Sequence, residues 1–301
     1  MWPRPYPFVL CALLVACAPG GGNEGEGEGE GEGEGEGDPG GEGEGEGDPG
    51  GEGEGEGEGE GDAWWRPATG ATWQITLSVV PTTRSLDVEV WDLDLFETPA
   101  STIDLLQAGG TRVICYFSAG TWEPGRPDSA TFPSGSLGNN YEDAAFAEER
   151  YLDVTDGAVF AIMEARLDLA VDKGCDAVDP DNVDLFDHDT GFAITDAQMR
   201  QFNLDLAAAA HARGLAIGLK NDLAQLDDVA HAYEFAVNEE CFAWDECDAY
   251  ADTLVADGKP VFHIEYVAPS QAAAVCAVTQ PLGLSTVIKN YDLDEVVTFC
   301  P

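Results

Sequence analysis

Residues 63–301 are predicted to form a closed α/β barrel of eight parallel strands, a (β/α)8 barrel of the TIM type, and three observations carry that prediction. One unit repeats along the chain: a helical stretch, a Gly just past its end, a short β-rich apolar run, and then polar residues. The Gly supplies a left-handed helix cap, and the apolar run reads as a strand buried on both faces, as in a parallel sheet covered by helices. Eight such strands can be counted, and the 239 positions of the segment lie close to the ~250 typical of this barrel. A doubly wound open sheet is the competing architecture, but neither G-x-G-x-x-G nor a phosphate loop occurs within the segment.

In chain order the strands are expected at 73–77, 88–91, 113–117, 177–179, 216–219, 235–237, 261–264 and 286–288. Thr98-Pro99 reads as a helix cap followed by Pro at the first helical position, and the helix ends at Gly109-Gly110 before the third strand. The long segment 119–156, rich in Pro, Gly, Asn and aromatic residues, falls after that strand and is expected to wall a cleft. Apolar Ile162, Met163, Leu167 and Ala170 mark a helix ending at Gly174, ahead of the fourth strand. Pro180 cannot donate to a ladder, so that strand is expected to stop at Asp179. Thr195 to Gln198 forms a capping box, and the helix it opens ends at Gly214 before the fifth strand. Gly258 and Gly283 precede the last two strands in the same way.

The N-terminus is different. Residues 1–17 carry one Arg, no acid, and an apolar run over 8–16 that suits the core of a secretory signal and is too short to span a bilayer. Leu14-Val15-Ala16-Cys17 resembles a bacterial lipobox, with Cys17 as the lipidated residue and Ala18 resembling an outer-membrane address. Residues 18–62 are expected to be a disordered tether: from Gly20 they are an almost pure Gly-Glu repeat with nothing apolar to order it. As a Gly-rich coil it would span ~35 Å, with a contour limit of ~150 Å. The expected setting is the bacterial cell envelope, lipid-anchored at the outer membrane and surface-exposed, or secretion.

The folded part carries 40 acids against 12 Lys and Arg, a formal charge of −28. Such a surface repels nucleic acid and attracts cations, through solubility needs or for a cationic substrate. Beyond Cys11 and Cys17, six Cys remain, and an even count in an exported chain suggests disulfides. The spacing argues for Cys241 with Cys247, and leaves open whether Cys276 pairs with Cys300 and Cys115 with Cys175.

If the strands close into one barrel, their polar C-terminal ends share a rim. Asp92, Asp94, Asp179, Asp181, Asp222, Glu239, Glu240 and Glu265 then converge, although strand-end acids also cap helices. Two carboxylates across a cleft are what glycosidic cleavage requires, one to protonate the departing oxygen and one to attack the anomeric carbon or activate water. Asn182 and Asn238 could orient those acids, and Lys220 is their charge partner. Tyr116, Trp122, Tyr266, Trp73, Phe242, Trp244 and Tyr291 offer aromatic planes near the rim, at least half of them expected in packing roles. His263 reads as a satisfied core His. Ser118 could be a nucleophile, but no G-x-S-x-G elbow exists; with no H-E-x-x-H and no tight His/Cys spacing, no metal and no cofactor are expected.

Five motifs in order, Val90-Trp-Asp-Leu-Asp-Leu-Phe96, Val113-Ile-Cys-Tyr-Phe-Ser-Ala-Gly120, Gly174-Cys-Asp-Ala-Val-Asp-Pro-Asp-Asn182, Gly218-Leu-Lys-Asn-Asp222 and Val237-Asn-Glu-Glu-Cys-Phe242 with Cys247, resemble the endo-α-1,4-polygalactosaminidases, glycoside hydrolase family 114. The resemblance implies a TIM-type barrel and hydrolysis of α-1,4-linked galactosamine exopolysaccharide, as found in biofilms. It implies Asp181 as nucleophile and Glu239 as acid/base. Substrate contacts are expected from Asp92, Asp94, Tyr116, Ser118, Trp122, Asp179, Asn182, Lys220, Asn238, Glu240, Glu265 and Tyr266. Two positions depart from the usual motifs: Asp179 stands where Glu is usual, and Glu240 where Gln is usual. The expected partner is a cationic amino-sugar polysaccharide, with the membrane reached through Cys17 and the protein a monomer. The alternatives are a catalytically weak glycan-binding lipoprotein and a glycosidase for another amino-sugar polymer.

Overall fold

The computed structural model describes residues 64–300. The expected signal segment with Cys17, the 18–62 tether and the boundary between tether and barrel lie outside the described residues.

The chain runs β1 (Trp73–Thr76), β2 (Val90–Asp94), α1 (Ala100–Gln107), β3 (Arg112–Ser118), β4 (Thr121–Trp122), β5 (Leu137–Asn140), β6 (Arg150–Leu152), α2 (Gly157–Lys173), β7 (Ala177–Asp181), α3 (Asp196–His211), β8 (Ala216–Lys220), α4 (Leu226–Val229), β9 (Phe235–Glu239), α5 (Cys241–Trp244), α6 (Cys247–Tyr250), β10 (Val261–Glu265), α7 (Ala272–Thr279), β11 (Ser285–Ile288) and β12 (Thr298–Phe299). Eight strands pair in parallel in the order β1-β2-β3-β7-β8-β9-β10-β11, and β12 adds antiparallel to β11. The sheet curls so that β1 returns beside β11, where Trp73 Nε1 donates to the Ser285 carbonyl at 2.7 Å. Each of the eight expected strands is one of these, and the expected α/β barrel is the observed fold. No helix among the described residues is long and apolar enough to cross a membrane.

Strand alternation divides the core in two. Trp73, Ile75, Val90, Ile114, Ala177, Ala216, Phe235, Val237, Phe262, Ile264 and Val287 form an inner cluster, and their strand neighbours pack outward against the helices. Residues two or four positions beyond an inner-cluster member therefore face the barrel axis: Asp92, Asp94, Tyr116, Asp179, Asp181, Lys220 and Glu239.

Two local expectations are corrected. Strand β7 does not stop at Asp179 but runs through Pro180 to Asp181, paired to β3 up to Ser118↔Asp181. What Pro180 ends is the ladder to β8, whose pairing stops at Val178↔Ile217, because a residue without an N–H leaves one neighbour unserved. The capping residue of α1 is Pro99 in an extended conformation, not Thr98, so the helix starts one residue late. The capping box at Thr195 and Gln198 is present as expected. Trp73, placed near the rim by sequence, is buried inside the barrel against Phe262.

The long segment after β3 folds into a small antiparallel sheet, β4-β6-β5. Arg166 of α2, 2% exposed, clamps it: its guanidinium donates to both Asp128 oxygens at 2.8 and 3.1 Å and to the Ser118 carbonyl at 2.6 Å, beneath Phe96 and Phe132. Three disulfides close Cys115–Cys175, Cys241–Cys247 and Cys276–Cys300. The first ties β3 to the entry of β7, and the second closes the loop that follows β9.

Candidate active site

Three adjacent strands end on a charged residue: β7 on Asp181, β8 on Lys220 and β9 on Glu239. Each is followed by a residue in the left-handed region, Asn182 at φ 59°, Asn221 at 48° and Glu240 at 64°. Asn tolerates that conformation through local hydrogen bonding. For Glu it costs roughly 1–2 kcal/mol, a strain worth keeping only where the turn it makes is used. The turn takes the chain off the strand at once, so the last inward side chain stands at the rim.

Lys220 is the centre of the arrangement. Its ammonium, 4% exposed, lies 3.3 Å from Asp181 Oδ1, 3.4 Å from Glu239 Oε2 and 3.8 Å from Asp179 Oδ2, with the Tyr116 ring 5.4 Å away. Burial alone would push its pKa down; the carboxylates of Asp181, Glu239, Asp179 and Asp92 outweigh it and hold the pKa well above the ordinary lysine value. Lys220 is thus a fixed cation and not a free amine available for Schiff-base chemistry.

Each rim carboxylate has its own tyrosine. Tyr116 Oη donates to Asp181 Oδ2 at 2.9 Å, and the Asn182 N–H donates to Asp181 Oδ1 at 2.8 Å. Tyr266 Oη donates to Glu239 Oε1. Burial first, then the facing carboxylates, pushes both phenols well above the usual tyrosine value, so they remain donors. Asn221 braces Glu239: its Oδ1 accepts the Glu239 N–H at 2.9 Å, and its own backbone carbonyl accepts from Tyr250 Oη at 3.0 Å.

One layer deeper, Asp92 and Asp179 are both fully buried, and no hydrogen bond reaches their four oxygens among the described residues. Burial, then the charge of Asp179, raises Asp92 well above the carboxylate range; burial, only partly offset by Lys220, lifts Asp179 to about 7. Both shifts run in the direction that favours protonated carboxyls in this buried layer. These two acids hold Lys220 from below and do not open to solvent.

The other residues singled out from sequence separate into two groups. Glu240 and Tyr266 are half-buried at the rim beside Glu239, with Tyr291 stacked on Tyr266 at 4.4 Å and donating to Glu240 Oε1 at 3.2 Å. Asn182 sits beside Asp181, its amide donating to Ser118 Oγ at 2.9 Å. Ser118 is 1% exposed and also bonded to Thr121 Oγ1 at 2.6 Å, so it shapes the turn and offers no free hydroxyl to attack a substrate. Asp94 caps the Phe96 and Glu97 N–H groups at 2.8 Å and binds Arg126 at 2.7 Å, anchoring the long loop. Trp122 lies on that loop wall, its indole donating to the Ser129 carbonyl at 2.9 Å. Asn238 is buried and accepts the Cys241 N–H at 3.2 Å, bracing the disulfide loop.

Two carboxylates are not brought to the cleft. Phe262 and Ile264 face the barrel interior, so Glu265 faces outward with His263, bonded to it at 3.0 Å and fully buried. Asp222 follows the left-handed Asn221 away from the axis and accepts from Asn203 at 3.0 Å; burial pushes it up to about 8. His263 is also bonded to Thr286 and is the satisfied core His expected. It lies near Cys241 and Cys247, but those sulfurs are joined in the disulfide and offer no thiolate to a metal.

Sequence reasoning gave no role to Asn221, although its place straight after Lys220 repeats the pattern of Asn182 after Asp181. It also passed over the loop acids Glu123 and Glu149. These line, with Glu97, Glu148 and Arg126, a depression of about 360 Å³ on the loop wall. Burial raises Glu149 to about 7, and the charges of Glu123 and Asp181 add to it.

A barrel whose rim holds two carboxylates around one ammonium can be set beside known proteins. The family model for glycoside-hydrolase family GH114 matches residues 57–301. The chain belongs to this family. It is a glycoside hydrolase. The crystal structure of Aspergillus fumigatus Ega3 in complex with galactosamine is 44% identical, covers 78% of this chain and 97% of its own, and superposes with a TM-score of 0.75. The glycoside hydrolase domain of PelA from Pseudomonas aeruginosa shares the fold at 15% identity, covering 76% of this chain and 98% of its own, with a TM-score of 0.62. No curated protein sequence matches the chain. Asp181, Lys220 and Glu239 of this GH114 barrel stand on consecutive strands of its sheet.

Proposed function

We propose that this GH114 enzyme is an endo-acting hydrolase of α-1,4-linked galactosamine or N-acetylgalactosamine exopolysaccharide, working by double displacement with Asp181 as nucleophile and Glu239 as acid/base. The observation that carries the reading is the shared ammonium: carboxylate oxygens 3.3 and 3.4 Å from one Lys220 Nζ can be separated by no more than the two distances together. That bound favours the ~5–5.5 Å spacing of retaining glycosidases over the ~6.5–9.5 Å that leaves room for an attacking water.

In the first step Asp181 attacks the anomeric carbon, the bond from that carbon to the glycosidic oxygen breaks, and Glu239 delivers its proton to the departing oxygen. Asp181 is suited to attack because Tyr116, the Asn182 N–H and Lys220 are all directed at it, a donor set matched to an anion. In the second step Glu239 takes a proton from water, which hydrolyses the glycosyl ester and frees Asp181. Lys220 holds both carboxylates in place throughout, and Asp92 with Asp179 holds Lys220.

The galactosamine bound to Ega3, a 44% identical relative, supports an amino-sugar polymer. So does the −28 charge of the folded part, which attracts a partly deacetylated, cationic chain. The same reading has the protein act as a monomer at the bacterial cell envelope, held by a lipid on Cys17 and set out from the membrane by residues 18–62, where biofilm polymer is met. The test is reducing-end release from partially deacetylated α-1,4-polygalactosamine beside a glucosamine polymer. Release from the first and not the second supports the reading; cleavage of the glucosamine polymer alone overturns it. Incorporation of labelled palmitate into the expressed chain, lost in Cys17→Ala, tests the anchor.

A further inference from the structure

The β9 rim carries two consecutive glutamates with two stacked tyrosines, and the pairing is one to one. Tyr266 serves Glu239, while Tyr291 serves Glu240 at 3.2 Å, and the two rings lie 4.4 Å apart with planes 20° from parallel. Consecutive strand residues point to opposite faces. Glu240 escapes that rule only because its φ of 64° ends the strand and swings its carboxylate to the rim next to Glu239. A Glu in that conformation is strained, whereas Asn182 and Asn221 make the corresponding turns with a residue that tolerates them.

Tyr291 is 56% exposed, and Trp244, on the short helix α5 that begins straight after Glu240, is 69% exposed. An exposed phenol ring can take the apolar C–H face of a sugar, as aromatic planes do in general. A carboxylate fixed at the edge of such a ring adds a feature a neutral sugar does not use. Burial, then the charges of Glu265 and Glu239, works against the anion at Glu240, and the bond from Tyr291 favours it. A ligand cation at this position would relieve the repulsion between the two glutamates.

We infer that Tyr291 and Glu240 form a specificity subsite beside the acid/base, in which the sugar stacks on Tyr291 and an unacetylated, protonated amino group pairs with the Glu240 carboxylate. The inference rests on the proposed amino-sugar substrate and on Glu239 as the acid that protonates the leaving oxygen. From that it follows that the sugar in the subsite belongs to the leaving-group side of the cut. New non-reducing ends then carry a free amine in preference to an N-acetyl group, because an acetamide has no charge for Glu240 and adds bulk beside Tyr291.

Binding and cleavage are measured separately, so that this subsite and the function it refines can fail independently. The full chain carrying Asp181→Asn, with and without Glu240→Gln, is titrated calorimetrically with an α-1,4-galactosamine hexamer and with its fully N-acetylated form. A charge-assisted hydrogen bond predicts that the free-amine hexamer binds roughly tenfold tighter than the acetylated one, and that Glu240→Gln removes this preference. Tyr291→Ala is expected to weaken both hexamers alike, and Tyr291→Phe to weaken them less. In parallel, the new non-reducing ends released by the native chain from partially acetylated polymer are sequenced by mass spectrometry, with Glu240→Gln beside it. Enrichment of free-amine ends that disappears in Glu240→Gln supports the subsite. Equal affinity for the two hexamers before substitution, or a preference untouched by Glu240→Gln, overturns it. A preference for the free-amine hexamer without any polymer cleavage leaves the subsite standing and removes the proposed activity.

Discussion

Two pairs of acids sit one layer apart in the same barrel, and their surroundings give them opposite work. At the rim, Asp181 and Glu239 are 21% and 26% exposed, and each is met by a tyrosine and by one side of the Lys220 ammonium. Below, Asp92 and Asp179 are sealed from solvent, no hydrogen bond reaches them among the described residues, and burial pushes both carboxyls up. Residue type does not separate the pairs; depth and donors do. On the proposed mechanism the upper pair exchanges a proton and a bond with the substrate, while the lower pair holds the lysine that spaces them.

The comparison breaks most visibly if the upper pair proves dispensable. Asp181→Asn and Glu239→Gln are each expected to lower kcat on polygalactosamine by roughly 10³-fold or more, with circular dichroism and thermal unfolding little changed. A variant that keeps a tenth of native activity would remove its residue from the chemistry. Next comes the link between the pairs. Lys220→Met leaves three carboxylates without their cation, and chemical denaturation should show a loss of about 3–5 kcal/mol together with loss of activity. Retained stability would mean that the acids do not depend on this lysine.

Tyr116→Phe removes one donor from Asp181 and leaves the ring beneath Lys220, so kcat/KM is expected to fall about 10- to 100-fold with stability nearly kept. The last effect concerns the lower pair and is read as a slope. Asp179 is lifted to about 7 in the folded state and Asp92 is raised as well, whereas an unfolded Asp titrates near ~3.9. The folded state therefore holds more protons on this pair across the window, and stability falls as pH rises from about 4 to about 7, by at most ~1.4 kcal/mol per pH unit for each raised group. Asp92→Asn cannot titrate, so its denaturation free energy should vary less steeply over the same window. An unchanged slope would show that the pair holds no such proton.

Much of the site was legible because the strand ends announce themselves. A short β-rich run that turns polar at Asp181, Lys220 and Glu239 is a pattern of residue types, and the glycine caps before each strand repeat it often enough to count eight. Pro180 misled on the strand's end because its missing N–H severs one ladder and not the other, and which neighbour stays paired is a matter of sheet order. Glu265 reads like Glu239 in sequence, each closing an apolar run. One position of strand register sends it to the helix side with His263, and register depends on the barrel as a whole. The upward shifts of Asp92 and Asp179 depend on burial inside the barrel, and the loop clamps of Arg126 and Arg166 depend on contacts far apart in the chain. The left-handed turns after the three charged residues, above all at Glu240, are backbone facts that Asn only hints at.

The most direct test of the central account is the anomeric configuration of the first product, followed by proton NMR within the first minutes of cleavage, before mutarotation. With Asp181 attacking and Glu239 protonating across one ammonium, the newly formed reducing end should appear as the α-anomer and drift later toward equilibrium. First appearance of the β-anomer would contradict the account, since it would place a water, and not Asp181, on the anomeric carbon.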